Sequence, residues 1–408
     1  MDLESFSRKQ LFSLKHSTKR TNIWHGSVRS GKTFASVVRF LAFCYEAPEG
    51  PLVMVGKTGR TLKRNVLDPL KEMVGPSVCR VNSGRGEAYI FGRLVYLASA
   101  NDERAQEKIR GSTFSGAYGD EVTLWPETFF AMLLSRLSVK GAKGFYTTNP
   151  DSPFHWLKKD YIDRKNDLNL AEFHFELDDN DALDPDFKEE LKKEYTGLFY
   201  QRFISGLWVQ AEGSVYDMFD SAVHVIPERG IPETDSFDEI FFGVDYGTSN
   251  PCVFLAIGRK GPDYYIFDEY YYDGRGEGKQ KTDNQYVQDF TKKFGNIAIN
   301  KRPIVCDPSA TSFRMALKGD GYKTVAGNNE VLEGIRHVSS LLSQRRLYVS
   351  GKCKNTVKEF QSYVWDPKAQ QRGEDKPLKE NDHAMDALRY PIETLVFNKR
   401  EKKTVREV

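Results

Sequence analysis

Residues 26–33 read Gly-Ser-Val-Arg-Ser-Gly-Lys-Thr, a full match to the phosphate-binding pattern G-x-x-x-x-G-K-[ST]. The pattern has a job only where a buried strand ends and a helix begins. It therefore commits this part of the chain to an α/β sheet. Gly26 and Gly31 let the backbone turn back on itself. The N–H groups of Gly26, Ser27, Val28, Arg29, Ser30 and Gly31 are then expected to cradle nucleotide phosphates. Lys32 places positive charge on the outer phosphates, and the Thr33 hydroxyl suits a Mg²⁺ ligand. The run from Thr33 to Phe43 fits the helix whose N-terminus favours the anion.

The chain has 408 residues, enough for two or three domains, and its 39% hydrophobic and 13% aromatic content supports packed cores. A net charge of +2 makes any nucleic-acid surface a local patch rather than a property of the whole chain. Cys44, Cys79, Cys252, Cys306 and Cys353 show no C-x-x-C spacing, so neither a zinc site nor a disulfide framework is expected and a reducing compartment fits. No apolar run approaches the roughly 18 residues of a membrane span, and with a polar start neither a membrane span nor a signal peptide is expected.

Residues 1–175 alternate short β-rich runs with helical stretches and read as a mostly parallel α/β sheet: 51–56, 94–98, 115–119 and 144–148 are the strands. Residues 176–235 read as a linker subdomain, acidic and turn-rich at first, then helical over 187–204. A second α/β unit is expected over 236–397. It opens on a strand ending at Asp245, continues as an antiparallel meander, and has helices over 331–344 and 381–396. Residues 398–408 form a charged tail. The glycine- and lysine-rich stretch 274–282 reads as a loop beside the Asp245 strand, and it is expected to gate access to the acidic residues there.

A phosphate loop alone does not define the chemistry. The strand 114–121 supplies the next part: Asp120 to hold Mg²⁺ through water, and Glu121 to polarise an attacking water. A kinase needs no such glutamate, so the pair favours ATP hydrolysis. Arg29, inside the loop, is a candidate charge-stabilising finger in cis. Arg110 is a candidate acting on a neighbouring subunit's nucleotide. Thr148 and Asn149 end a strand in groups able to sense a γ-phosphate. Gln10 and Trp24 are candidate adenine contacts.

In the second half, Asp245 and Asp307 each close an apolar strand. His383 and Asp386 sit three apart on an expected helix, and so on one face. Such an oxygen-rich set can hold two Mg²⁺ or Mn²⁺ ions and clamp both oxygens of a phosphodiester undergoing displacement. The histidine tilts the set toward Mn²⁺. Asp382 is a spare ligand and Glu269 a weaker one. Lys279, Lys281, Lys292 and Lys293 are among the basic residues able to line a phosphate-binding face.

The order of these parts resembles the large terminase subunit of tailed bacteriophages: a P-loop with an internal arginine, a strand ending Asp-Glu, a Thr-Thr-Asn strand, then Asp, Asp and His-x-x-Asp. The phrase GLWVQAEGSVY at 206–216 is similar to that family's linker, and the resemblance covers roughly residues 10–397. It implies an ASCE-type ATPase domain that pumps double-stranded DNA into a procapsid, and an RNase H-like nuclease domain that cuts concatemers at initiation and completion. It further implies that Glu121 runs hydrolysis, that Thr148 and Asn149 couple it to movement, and that Asp245, Asp307 and Asp386 form the nuclease triad with His383 as an additional ligand. Many relatives carry the P-loop arginine at the position of Val28, one before Arg29. The partners implied are a portal protein, a small terminase subunit and further copies in a ring, a pentamer, with the isolated chain a monomer. The site of action implied is the host bacterial cytoplasm, at the procapsid. Two other readings stand beside it: an ATP-dependent repair or recombination nuclease, which would prefer branched DNA, and a nucleotide-gated assembly module without cutting activity.

Overall fold

A computed structural model of the chain describes residues 6–101, 107, 109–247, 250–298 and 302–397. The charged tail at 398–408 lies outside the described residues. The chain forms two units. Among the described residues, the first comprises those within 6–192, 198–210 and 368–375, and the second those within 193–197, 211–367 and 376–397. The stretch 176–235 is thus divided between them instead of forming a body of its own. Its 187–204 portion is not one helix either: helices run Pro185–Glu194 and Gly197–Phe203, and Gly197 breaks the path at φ +50°.

The first unit is built on eight strands: β1 (Thr21–Gly26), β2 (Leu52–Gly56), β3 (Cys79–Asn82), β4 (Glu87–Ile90), β5 (Arg93–Ser99), β6 (Gly116–Gly119), β7 (Lys143–Thr148) and β8 (Leu170–Phe175). Their order is β3-β4-β5-β2-β6-β7-β1-β8, with β5 through β8 parallel and β3–β4–β5 antiparallel. Successive side chains point to opposite faces. Trp24, Met54, Tyr118 and Phe145 therefore join one core, and Ile23, Val53, Ala117 and Tyr146 the other. Both faces are covered, which is why β1 and β2 are buried along their whole length. The helix Lys32–Glu46 lays Val37, Phe40, Leu41 and Phe43 on the first core. Replacing the fully buried Phe40 by alanine is expected to cost about 3–5 kcal/mol. The late segment 368–375 belongs to this unit. Arg202, almost fully buried, donates to Asp375 and, at 3.2 Å, to Asp151.

The second unit has seven strands in the order β14-β13-β10-β11-β12-β15-β9. Their ranges are β9 (Val225–Ile226), β10 (Glu239–Asp245), β11 (Cys252–Lys260), β12 (Asp263–Tyr272), β13 (Ile304–Cys306), β14 (Thr324–Ala326) and β15 (Leu347–Ser350). β10, β11 and β12 run antiparallel; β13 and β14 add in parallel beside β10. This is an RNase H-like sheet. Phe242, Val244, Phe254, Phe290, Phe294 and Phe313 form the core on one face, under the helices Asp283–Ala298 and Thr311–Gly319. The helix His383–Pro391 packs on β10 at very short range, because Gly243 has no side chain: a Cβ there would lie 1.8 Å from the Ala387 carbonyl oxygen. The expected helix over 381–396 is shorter. Asn381 stands outside it at φ +53°, and past Pro391 the backbone widens into a π-helical turn, Ile392–Phe397.

Candidate functional site

The P-loop leaves β1 at Gly26 and enters the Lys32–Glu46 helix through Gly31 at φ +80°. Gly26 has φ +138° and sits against Phe175, whose carbonyl oxygen would be 1.9 Å from an added Cβ. The loop is held from outside. Ser27 N–H donates to the Phe175 carbonyl at 2.7 Å, and Val28 N–H to the Phe203 carbonyl at 2.9 Å. The Ser30 hydroxyl donates to the Ser27 carbonyl at 2.8 Å, and Asn180 Nδ2 donates to the Arg29 carbonyl at 2.7 Å. Arg29 is exposed with φ +55°, Thr33 is partly exposed, and Arg110 is exposed.

Lys32 is buried, and burial lowers its pKa to about 8, against the pull of Asp120 and then Glu121. Its ammonium donates to the Ser27 carbonyl at 2.8 Å and to Asn149 Oδ1 at 2.6 Å. Asp120 and Glu121 follow β6, and β7 lies between β6 and the P-loop strand, the added-strand order of an ASCE ATPase. Burial raises the pKa of Asp120, while Thr147, Lys32 and Asn65 favour its charged form. The Thr147 hydroxyl donates to Asp120 Oδ1 at 2.6 Å. Glu121 is in left-handed backbone at φ +56°, a strained conformation for a glutamate at a candidate site. Burial and Asp120 raise its pKa; Lys57, Lys32 and Arg64 oppose them.

Sequence reasoning read the Thr-Thr-Asn strand end as a sensor but gave the coupling to Thr148 and Asn149, whereas Thr147 is the residue that touches Asp120. Thr148 turns the other way, to the Thr123 hydroxyl at 2.7 Å. Trp24 is not an adenine contact. It is fully buried in the core, because β1 is covered on both faces. Gln10 braces the loop: Oε1 accepts from Ser7 N–H at 2.9 Å and Nε2 donates to the Gly31 carbonyl at 3.2 Å.

In the second unit Asp245, at the end of β10, and Asp386, on the His383–Pro391 helix, are both buried. Burial pushes Asp245 up to about 6; His383 opposes, and Asp386 and Asp307 add to the rise. His383 Nδ1 is 2.9 Å from Asp245 Oδ2. Burial disfavours the His383 cation, but Asp245, Asp382 and Glu359 outweigh it and raise its pKa. Asp307 is partly buried at the end of β13, and its Oδ1 accepts from Ser309 N–H at 2.7 Å.

Three groups here escaped the sequence. Arg389 donates to Asp386 Oδ1 from Nε at 3.3 Å and from Nη2 at 3.0 Å. Lys379 Nζ lies 3.2 Å from Asp386 Oδ2 and 3.0 Å from Asp382 Oδ2. Glu359 is buried at the start of the His383–Pro391 helix, and burial raises its pKa to about 7 against the bonds from Tyr271 and Ala384. Glu269 is not a ligand. Its carboxylate accepts from the backbone of Asn355 at 3.0 Å and of Thr356 at 2.9 Å.

Among the described residues, no three His, Cys, Asp or Glu groups stand ready-placed around one point. The donor chemistry nonetheless suits a hard divalent cation: Asp386 and Asp307 both push up the pKa of the buried Asp245, and the Lys379 ammonium already sits on Asp382 and Asp386.

Fold and sites together define a P-loop ATPase joined to an RNase H-like unit. A family model for the N-terminal part of the T4-type terminase large subunit matches residues 23–223. The large terminase of a thermophilic bacteriophage is 40% identical in sequence, with a TM-score of 0.88, and the match covers 96% of this chain and 99% of that one. The same relative was also solved with ADP and with ATP-γ-S, with TM-scores of 0.87 and 0.86. The large terminase subunit of Escherichia phage T5 is 25% identical over 316 residues, 74% of this chain and 69% of that protein. The chain belongs to the large terminase family. All five cysteines are free and buried. Among the described residues no helix is long and apolar enough to cross a membrane.

Proposed function

We propose that this protein is a viral DNA-packaging motor whose first unit hydrolyses ATP to move double-stranded DNA into a procapsid, and whose second unit is a metal-dependent endonuclease that cuts the concatemer at initiation and termination. The observation that carries the reading is the presence of two separate carboxylate sites in one chain. One is paired with a P-loop lysine; the other lies at the carboxyl ends of two interior strands, β10 and β13, of an RNase H-like sheet.

At the ATPase site, the P-loop backbone and Lys32 hold the phosphates, and Thr33 and Asp120 hold Mg²⁺. Glu121 takes a proton from the attacking water. Its raised pKa suits that task. Thr148 and Asn149 report the γ-phosphate to the rest of the unit. Arg29 in cis and Arg110 from a neighbouring subunit neutralise charge in the transition state, and both are exposed as that role needs.

At the nuclease site, Asp245, Asp307 and Asp386 hold Mn²⁺ or Mg²⁺, with His383 as a further ligand or as the orienter of Asp245. Bound ions there would activate water and neutralise the leaving oxygen of the phosphodiester. The working assembly is a ring, a pentamer, on the portal protein. A small terminase subunit selects the DNA, and all of this takes place in the host bacterial cytoplasm. The thermophilic-phage relative solved with ADP and with ATP-γ-S supports the nucleotide part.

The test is paired: ATP turnover with DNA present, and supercoiled-plasmid cleavage with Mn²⁺ or Mg²⁺, for wild type, Glu121→Ala and Asp245→Ala. Glu121→Ala is expected to lose turnover and keep cutting, and Asp245→Ala the reverse. Loss of both activities in either folded variant would sink the two-site reading. A strong preference for branched over linear duplex would favour a repair nuclease.

A further inference from the structure

We propose that Glu359 is a positioning residue of the nuclease site: it caps the His383–Pro391 helix from outside and ties that helix to strand β12. The assignment rests on the nuclease reading above.

A helix leaves its first backbone N–H groups without intrahelical partners, and a side chain at the N-cap usually satisfies one. Here Asp382 occupies the N-cap and makes no side-chain cap. Its carboxylate meets Lys379 instead, at 3.0 Å. Glu359 supplies the missing acceptor: its Oε2 takes the Ala384 N–H at 2.6 Å. Ala384 lies between His383 and Asp386, so this bond fixes the turn that presents both.

Glu359 is itself held. It is 2% exposed, and its Oε1 accepts from the Tyr271 hydroxyl at 2.9 Å. It rides on the helix Lys354–Ser362, whose N-cap, Cys353, also makes no side-chain cap. The acceptor for that helix is Glu269. It takes the N–H groups of Asn355 at 3.0 Å and Thr356 at 2.9 Å, and the Thr356 hydroxyl at 2.8 Å. Glu269 and Tyr271 are two residues apart on β12 and so share a face. One strand thus sets two helices in sequence. Glu269 places the Lys354–Ser362 helix, Tyr271 and that helix place Glu359, and Glu359 places the turn bearing His383 and Asp386. A carboxylate that orients metal-ligating side chains without touching the metal typically matters 10–100-fold for metal affinity.

The experiment compares wild type, Glu359→Gln, Glu359→Ala and Tyr271→Phe by three readouts. These are amide hydrogen exchange over the peptide spanning 383–387, Mn²⁺ affinity by calorimetry, and plasmid cleavage as a function of Mn²⁺. Glu359→Ala is expected to speed exchange at the start of the helix and to weaken Mn²⁺ binding roughly 10-fold or more. Its cleavage should need correspondingly more Mn²⁺. Glu359→Gln keeps an acceptor for Ala384 N–H and should stay near wild type in all three. Tyr271→Phe leaves Glu359 in place with one tether fewer and should shift the same way by less.

Wild-type exchange and affinity in Glu359→Ala would overturn the assignment. Equal damage in Glu359→Gln and Glu359→Ala would overturn it too, because charge rather than position would then be what counts. If Glu359→Ala does not fold, Tyr271→Phe carries the test, and an unchanged Mn²⁺ affinity there counts against the proposal. Wild type that neither binds Mn²⁺ nor cuts would overturn the nuclease reading itself and this assignment with it. Wild type that does both, with the variants unchanged, overturns this assignment alone.

Discussion

The Lys32 ammonium donates to the side-chain oxygen of Asn149 at 2.6 Å, so the P-loop cation is bonded directly to the residue after β7. Burial strips Lys32 of water, and Asn149 with the Ser27 carbonyl replaces part of that shell. On the ATPase reading, a bound γ-phosphate would compete with Asn149 for the same N–H groups. Asn149→Ala is therefore expected to leave nucleotide affinity within a few-fold and to lower kcat for ATP roughly 10-fold or more. Lys32→Met should lose both. Titration with a fluorescent nucleotide beside a turnover assay separates the two, and a purely affinity-based loss in Asn149→Ala would remove its coupling role.

Gly26→Ala tests whether the P-loop is held by sterics or by backbone preference. The added methyl would meet the Phe175 carbonyl at 1.9 Å, on a backbone at φ +138°. Gly75 also has positive φ, +74°, with nothing within 4 Å of an added Cβ. Gly75→Ala is expected to destabilise by about 1 kcal/mol and Gly26→Ala by about 2–4 kcal/mol. Thermal melts with and without ATP are the measurement, and nucleotide should raise the melting temperature of the Gly75 variant only.

Asp386 has one oxygen taken by Arg389 and the other by Lys379. On the nuclease reading, a divalent ion at Oδ2 would compete with the Lys379 ammonium for that oxygen. Lys379→Met is expected to tighten Mn²⁺ binding several-fold, read by calorimetry at low ionic strength. Weaker binding in that variant would show that the lysine orders the carboxylates rather than competing for them.

Glu359 gives a signature in pH. Its folded pKa, about 7, lies above the usual carboxylate value near 4.5, so the folded state binds the proton more tightly than the unfolded chain. Its contribution therefore disfavours the fold above about pH 7, and stability recovers as pH falls from about 7 toward 4.5. The His383 ring faces the same turn and opposes that rise. Metal-free wild type should gain more melting temperature between pH 7.5 and 5.5 than Glu359→Gln does. Identical slopes would mean that burial does not hold the carboxyl protonated.

The sequence was readable where chemistry is local in the chain. The P-loop, the Asp120–Glu121 pair and the His383–Asp386 spacing each fit within one element, and their periodicity can be read directly. It was unreadable where a role depends on which face of a strand meets which neighbour. Thr147 and Thr148 are adjacent, yet strand alternation sends one to Asp120 and the other to Thr123. That alternation was a usable signal, since only one of the two can face a neighbouring strand's carboxylate. Trp24 failed for the opposite reason: in a sheet covered on both faces no position of β1 is free. Glu359 stands at no motif spacing, and only the packing of separate elements gives it a role, whereas Arg389 follows Asp386 by three on the same helix and was within reach of a spacing argument.

Gly243 lies two residues before Asp245, under the backbone of Ala387, and Ala387 follows Asp386. The span between two carboxylates from distant parts of the chain is therefore gauged by a missing methyl group. Any side chain at 243 would act as a shim between strand and helix. It would lift Asp386 from Asp245 with no acidic residue changed in the sequence.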